Sequence, residues 1–159
     1  MKTAILCVGK LRERYWRDAA EEYVKRLSRF GGIEIVEIPD LPEPRNAREA
    51  DLRRLVDAEG ASLLSQIAPR DHVIALAIGG RQMDSPALAA RLSSLEMAGE
   101  SRAVFLIGGS NGLSEQVLRR ANGTLSFSPM TFPHQLARVM LLEQLYRARK
   151  ILAGEAYHK

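Results

Sequence analysis

One cysteine, Cys7, occurs among 159 residues, which excludes an intramolecular disulfide and any zinc or iron–sulfur site built on several thiolates. Long hydrophobic runs are missing too. The first apolar stretch, Ala4 to Val8, is too short for the core of a secretion signal, and Gly9-Lys10-Leu11-Arg12 follows at once. No run approaches the ~20 apolar residues needed to cross a bilayer. The expectation is a soluble, cytoplasmic protein with no membrane partner. Two phosphate-binding signatures, G-x-x-x-x-G-K-[ST] and G-x-G-x-x-G, are also absent from the sequence. Phosphate-transfer and ordinary dinucleotide-binding readings lose most of their support. Repeats, low-complexity segments and polybasic tails are not found either.

What is there is ordinary globular composition, 46% hydrophobic and 26% charged, in a length that suits one domain over 1–159. The net charge of +4 is modest, but residues 1–30 carry +4, residues 31–60 carry −4 and the remainder +4. Of the 23 cations, 18 are arginine, the side chain suited to bidentate phosphate contacts. Nucleic-acid binding is thereby permitted; an arginine-rich surface without a nucleic-acid role is equally compatible.

Apolar runs of strand length alternate with amphipathic helical stretches. Thr3 to Val8 reads as a strand buried on both faces. Trp16, Ala19, Ala20, Tyr23, Val24, Leu27 and Phe30 keep helical spacing until Gly31-Gly32 stop it. Ile33 to Ile38 predicts a second strand, and the proline-rich segment 39–44 a loop. A charged helix follows over roughly 47–67, with Gly60 as its weak point. His72 to Ile78 predicts a third strand, and Ser85-Pro86 a capped helix start. Ala103 to Ile107 predicts a fourth strand and Ser114 caps a short helix. Thr124 to Ser128 alternates as a fifth strand, before a last helix from Pro133 to about Leu152. Such alternation implies right-handed crossovers and a mainly parallel sheet with helices on both faces.

In sheets of this kind ligands sit beyond the carboxyl ends of the strands. Three of those ends are rich in glycine or small polar residues: Leu76 to Gly80, Ile107 to Gly112 and Phe127 to Phe132. Gly108-Gly109 and Gly112 let backbone amides approach a ligand, although glycines also simply make turns. The segment Ser126 to Gln135 joins strand to helix through two prolines and offers a surface for a flat, partly apolar group such as adenine. A rigid turn with Thr131 as helix cap is the plainer alternative. His134 reads as a helix-start residue, His72 beside Asp71 as structural, and Cys7 as inert core. The last helix carries more apolar surface than one stripe, so it is either deeply buried or part of a subunit interface.

Together these segments resemble the large-subunit rRNA methyltransferase H family, the pseudouridine N3-methyltransferases of the SPOUT superfamily. The resemblance rests on Val8-Gly9-Lys10-Leu11, Phe105 to Leu113, Leu125 to Val139, Glu143 to Ala148 and Tyr157-His158-Lys159. It implies a mainly parallel five- to six-stranded sheet with a C-terminal deep trefoil knot, a homodimer, and S-adenosylmethionine bound in the knot. By position it assigns cofactor contact to Leu76, Gly108, Phe127, Ser128, Pro129, Met130, Thr131 and Phe132. The chain departs from the family pattern at Ala77, where relatives often carry an acid, and at Glu155-Ala156, where proline often precedes the tyrosine.

The implied substrate is a pseudouridine in a stem-loop of 23S rRNA, methylated on the assembled ribosome. Its N3–H lies between two carbonyls and must be removed. Arg147 is expected to stabilise negative charge on the base, while Tyr157 and His158 shape the pocket; His158 is the candidate proton acceptor. Lys10, Arg12, Arg14 and Arg17 are candidates for phosphate contact. No metal is expected. A non-enzymatic RNA- or ribosome-binding module of the same fold is the alternative, and Ala77 is the feature that favours it.

Overall fold

The structure, a computed structural model, describes residues 1–157. Five strands, β1 (Lys2–Val8), β2 (Glu34–Ile38), β3 (His72–Leu76), β4 (Arg102–Ile107) and β5 (Gly123–Leu125), form one sheet in the order β2-β1-β4-β3-β5. Every pairing is parallel. Five α-helices connect them: α1 (Arg14–Leu27), α2 (Glu49–Leu64), α3 (Ser85–Met97), α4 (Glu115–Arg120) and α5 (His134–Leu152).

The strands are apolar throughout because both faces are covered. Ile5, Cys7, Ile74 and Phe105 point into a core closed by α1, α3 and α5. Ala4, Leu6, Val73, Val104 and Leu106 point the other way, against Leu63 of α2 and Val117 of α4. Successive side chains of a strand alternate between faces, so a near-continuous apolar run is what two helical layers require.

Several boundaries differ from the sequence expectation. The α1 periodicity ends at Leu27, and Ser28–Phe30 tightens into a 3₁₀ turn before Gly31, at φ 92°, reverses the chain. Asp84, not Ser85, caps α3 by accepting a hydrogen bond from the Ala87 amide at 2.8 Å. Ser85 is thereby free to donate to Oε1 of Gln144 on α5 at 2.6 Å. Strand β5 stops after Leu125: β3 ends at Leu76, the Ser126 amide turns to the Arg81 carbonyl, and the Ser126 hydroxyl lies 2.8 Å from the Ile78 carbonyl and 3.0 Å from that of Ser128. Thr131 is not a cap; α5 begins at His134 with Pro133 in the cap position. Gly60 marks close packing: a Cβ there would lie 2.3 Å from Oγ of Ser114, the residue that caps α4. The last helix is mostly buried at Leu141, Leu142, Leu145, Tyr146 and Ala148, while Leu136, Val139, Met140 and Ile151 are half-buried. Cys7 is buried, which pushes its thiol up to about 11 and keeps it protonated, as core sulfur should be.

Candidate active site

The carboxyl ends of β3, β4 and β5 open onto one cleft of about 770 Å³. The turn after β3 folds back through a Gly80 N–H to Ala77 carbonyl bond of 2.9 Å. It is then pinned to the β5–α5 linker, with the Ala77 amide on the Leu125 carbonyl and the Ser126 amide on the Arg81 carbonyl, both at 3.0 Å. The turn after β4 closes on itself between Gly109 and Gly112. Gly108 admits no side chain there, since a Cβ would lie 2.5 Å from the Gly112 carbonyl oxygen. In the linker, the Met130 amide donates to the Ser128 hydroxyl at 2.9 Å.

Leu76, Gly108, Phe127, Ser128, Met130, Thr131 and Phe132 all line this cleft, together with Ala77 and Ile78. Pro129 is exposed and does not join the lining. The cleft wall is largely apolar, with hydroxyls and backbone amides interspersed, and its volume falls within the range of small-molecule sites.

At the α5 end the cleft reaches His134 and Gln135. Burial and the neighbouring Arg138 charge hold the His134 imidazole below its ordinary value, against the opposing pull of Asp40 and Glu13. The neutral imidazole is thereby favoured. Arg138 itself is buried; it donates to Oε1 of Glu37 at 2.5 Å and to the Gly9 carbonyl at 2.7 Å, tying α5 to the ends of β1 and β2. Arg12, Arg14 and Arg17 lie in the same region and are exposed. Arg12 pairs with Asp40 at 3.7 Å and Arg14 with Asp18 at 3.6 Å, while Arg17 donates to the Leu11 and Arg12 carbonyls. Lys10 is also exposed. His72 stands 3.6 Å from Glu100 at the opposite end of β3, in a structural position.

Behind the Gly108–Gly112 turn sits a buried carboxylate that sequence reasoning missed. Glu59 of α2 accepts the Leu41 amide at 3.0 Å, and a Cβ on Gly109 would lie 3.4 Å from its other oxygen. Burial raises its carboxyl above the ordinary range, the Leu41 hydrogen bond opposes the shift, and Asp40 adds to it.

Arg147 and Tyr157 do not line the cleft. They form a separate cluster around Glu143, one helical turn before Arg147. The guanidinium donates to Oε1 of Glu143 through two nitrogens at 3.0 and 2.5 Å, and the Tyr157 hydroxyl donates to the same oxygen at 3.2 Å. The Arg147 guanidinium lies 4.7 Å from the Tyr157 ring centroid. Burial, then Glu143 and Tyr23, push the Tyr157 phenol up to about 12, so it stays a hydrogen-bond donor at neutral pH. His158 lies outside the described residues. Glu143 was legible in principle: the i,i+4 spacing to Arg147 on a helix brings the two together.

A glycine-lined cleft at the carboxyl ends of parallel strands, crossed by a linker that turns into the last helix, defines a cofactor-binding α/β domain. The family of predicted SPOUT methyltransferases matches residues 1–158, and the chain belongs to that family. Membership implies the trefoil knot and the use of S-adenosylmethionine. The cleft fits such a group: it has the volume, a backbone cradle at Gly108 that a side chain would fill, and apolar walls at Leu76, Ile78 and Phe127 for a nucleoside. Among the described residues no cluster of His, Cys, Asp and Glu could hold a metal ion, and no helix is long and apolar enough to cross a membrane.

Proposed function

We propose that the protein methylates N3 of a pseudouridine in 23S rRNA on the assembled ribosome, as a cytoplasmic homodimer. The observation that carries this reading is the meeting of three strand-end loops, distant along the chain, in one cleft of nucleoside size in a SPOUT methyltransferase. Leu76, Gly108 and the run Phe127 to Phe132 hold S-adenosylmethionine, with Pro129 shaping the linker from outside. When bound, the cofactor supplies an electrophilic methyl group on a sulfonium sulfur.

The protein must remove the N3 proton and stabilise the charge left on the base. His158 accepts that proton; a positioned base contributes roughly 10²–10⁴ in rate. Arg147 stabilises the developing negative charge, with its orientation fixed by Glu143. Tyr157 cannot be the base while its phenol sits near 12, so it donates a hydrogen bond or stacks. Lys10, Arg12, Arg14 and Arg17 grip RNA phosphates beside the α5 end of the cleft. Homodimer formation is supported by apolar surface that one chain leaves open, with Tyr15 64% and Leu152 40% exposed.

Single-turnover transfer of labelled methyl from S-adenosylmethionine to ribosomes lacking the modification tests the reading. Mass spectrometry should locate N3-methylpseudouridine in 23S rRNA, and Arg147→Ala and His158→Ala should each slow the reaction at saturating cofactor. Incorporation into no ribosomal RNA would refute the substrate; near-wild-type rates for both variants would refute the residue roles.

A further inference from the structure

A second cavity of about 620 Å³ lies between α1, α3 and α5. It shares Leu125 and Phe127 with the cofactor cleft, so those two side chains form a common wall. Its lining also includes Glu143, the carboxylate that holds Arg147 and Tyr157. The cavity thus adjoins both the cofactor cleft and the Glu143–Arg147–Tyr157 cluster. We propose that it receives the target base, and that Glu143 with Gln144 reads the N1–H and C2 carbonyl edge of pseudouridine. This rests on the methyltransferase reading and specifies where the substrate enters.

The lining decides the class of occupant. Among the described residues Asp84 and Glu143 are the charged members of the lining, which disfavours a phosphate and admits a neutral ring. Phe127 and Tyr23 offer flat apolar faces against which a base can lie. The polar partners are partly committed. Oε1 of Glu143 carries Arg147 and Tyr157, while Oε2, among the described residues, accepts the Gln144 amide at 2.7 Å. That oxygen retains acceptor capacity, and the Gln144 amide retains a second N–H. An acceptor beside a donor complements a ring N–H next to a carbonyl.

Adenine has no carbonyl for such a pair. Uridine has one ring N–H, at N3, so seating that edge on Glu143 hides the atom to be methylated. Pseudouridine, linked to its ribose through carbon, has a second N–H at N1. With N1–H and the C2 carbonyl engaged, N3 is left free to face the shared wall and the cofactor cleft. The base must leave its stack to reach this cavity, as enzymes acting on a base require.

Methionine methyl NMR tests this on the full chain, because Met83 and Met140 line the cavity, Met130 lines the cofactor cleft, and Met97 is 81% exposed elsewhere. Pseudouridine 5′-monophosphate should shift Met83 and Met140 and leave Met97 unmoved. The N1-methylated analogue should bind roughly tenfold more weakly, the effect of one hydrogen bond to a charged group. Glu143→Gln should remove that discrimination, and Met140→Trp should abolish the Met83 shift by filling the cavity. If Met83 and Met140 ignore pseudouridine monophosphate, the pocket assignment is wrong. Equal binding of the N1-methyl analogue or of adenosine 5′-monophosphate would overturn the edge assignment. S-adenosylhomocysteine should move Met130; failure there would instead sink the methyltransferase reading.

Discussion

Replacing Gly108 by alanine tests whether the turn after β4 is shaped for a ligand or is merely a turn. The added Cβ would lie 2.5 Å from the Gly112 carbonyl oxygen, 2.6 Å from its carbon and 3.1 Å from the Leu113 amide nitrogen. All three are backbone atoms, so no side chain can swing aside and the turn itself must move. Overpacking of this kind costs about 1–3 kcal/mol. A chain of this size loses ~2–4 °C in Tm per kcal/mol, so the apo variant should melt roughly 2–12 °C lower. Gly112 and Leu113 also line the cleft, so cofactor affinity should fall with stability. At a cofactor concentration 100 times its Kd the parent gains about 2.7 kcal/mol. A tenfold weaker variant at the same concentration gains about 1.4 kcal/mol, half the thermal shift. Thermal unfolding with and without S-adenosylhomocysteine measures both effects. An unchanged Tm together with an undiminished ligand-induced rise would refute the reasoning.

Three further outcomes follow from buried contacts. Gly60→Ala gains about 1 kcal/mol of helix propensity but displaces the Ser114 cap and packs α2 too tightly against α4, so urea unfolding should show a net loss of about 1–3 kcal/mol. Arg138→Met leaves Glu37 unpaired and the Gly9 carbonyl without its donor, and denaturant unfolding should register a loss of about 3–5 kcal/mol. Glu59 has a raised carboxyl, so the folded state binds its proton more tightly than the unfolded chain does. Its contribution is thus most favourable at low pH and declines as pH rises through the folded value. Glu59→Gln keeps an oxygen for the Leu41 amide, so its stability relative to the parent should increase from pH 4 to pH 7. A flat difference across that range would contradict the assignment.

The strand-and-helix alternation was legible because each strand is a short apolar run between unmistakable breakers. So were the three strand ends of the cleft, since backbone crowding at Gly108 and the turns around Gly80 and Gly112 leave glycine as their visible mark. Other features depend on partners far along the chain. Ser126 is an ordinary strand residue by pattern, yet its amide turns to Arg81 and its hydroxyl to Ile78, beyond the end of β5. Arg138 has the look of a solvent-facing helical cation until Glu37 and Gly9 are seen to receive it. The second cavity is built from α1, α3 and α5, so no contiguous motif announces it. From sequence, Arg147, Tyr157 and His158 are assigned to one reaction; the i,i+4 spacing links Glu143 to Arg147, but its contact with Tyr157 depends on how the chain folds back after α5.

The sharpest trial of all this is a crystal grown with S-adenosylhomocysteine at saturation. Continuous ligand density should fill the space bounded by residues 76–78, 108–113 and 126–132, with the nucleoside against Leu76 and Ile78. Density on any other surface, or a vacant cleft beside a fully occupied site elsewhere, would contradict the account.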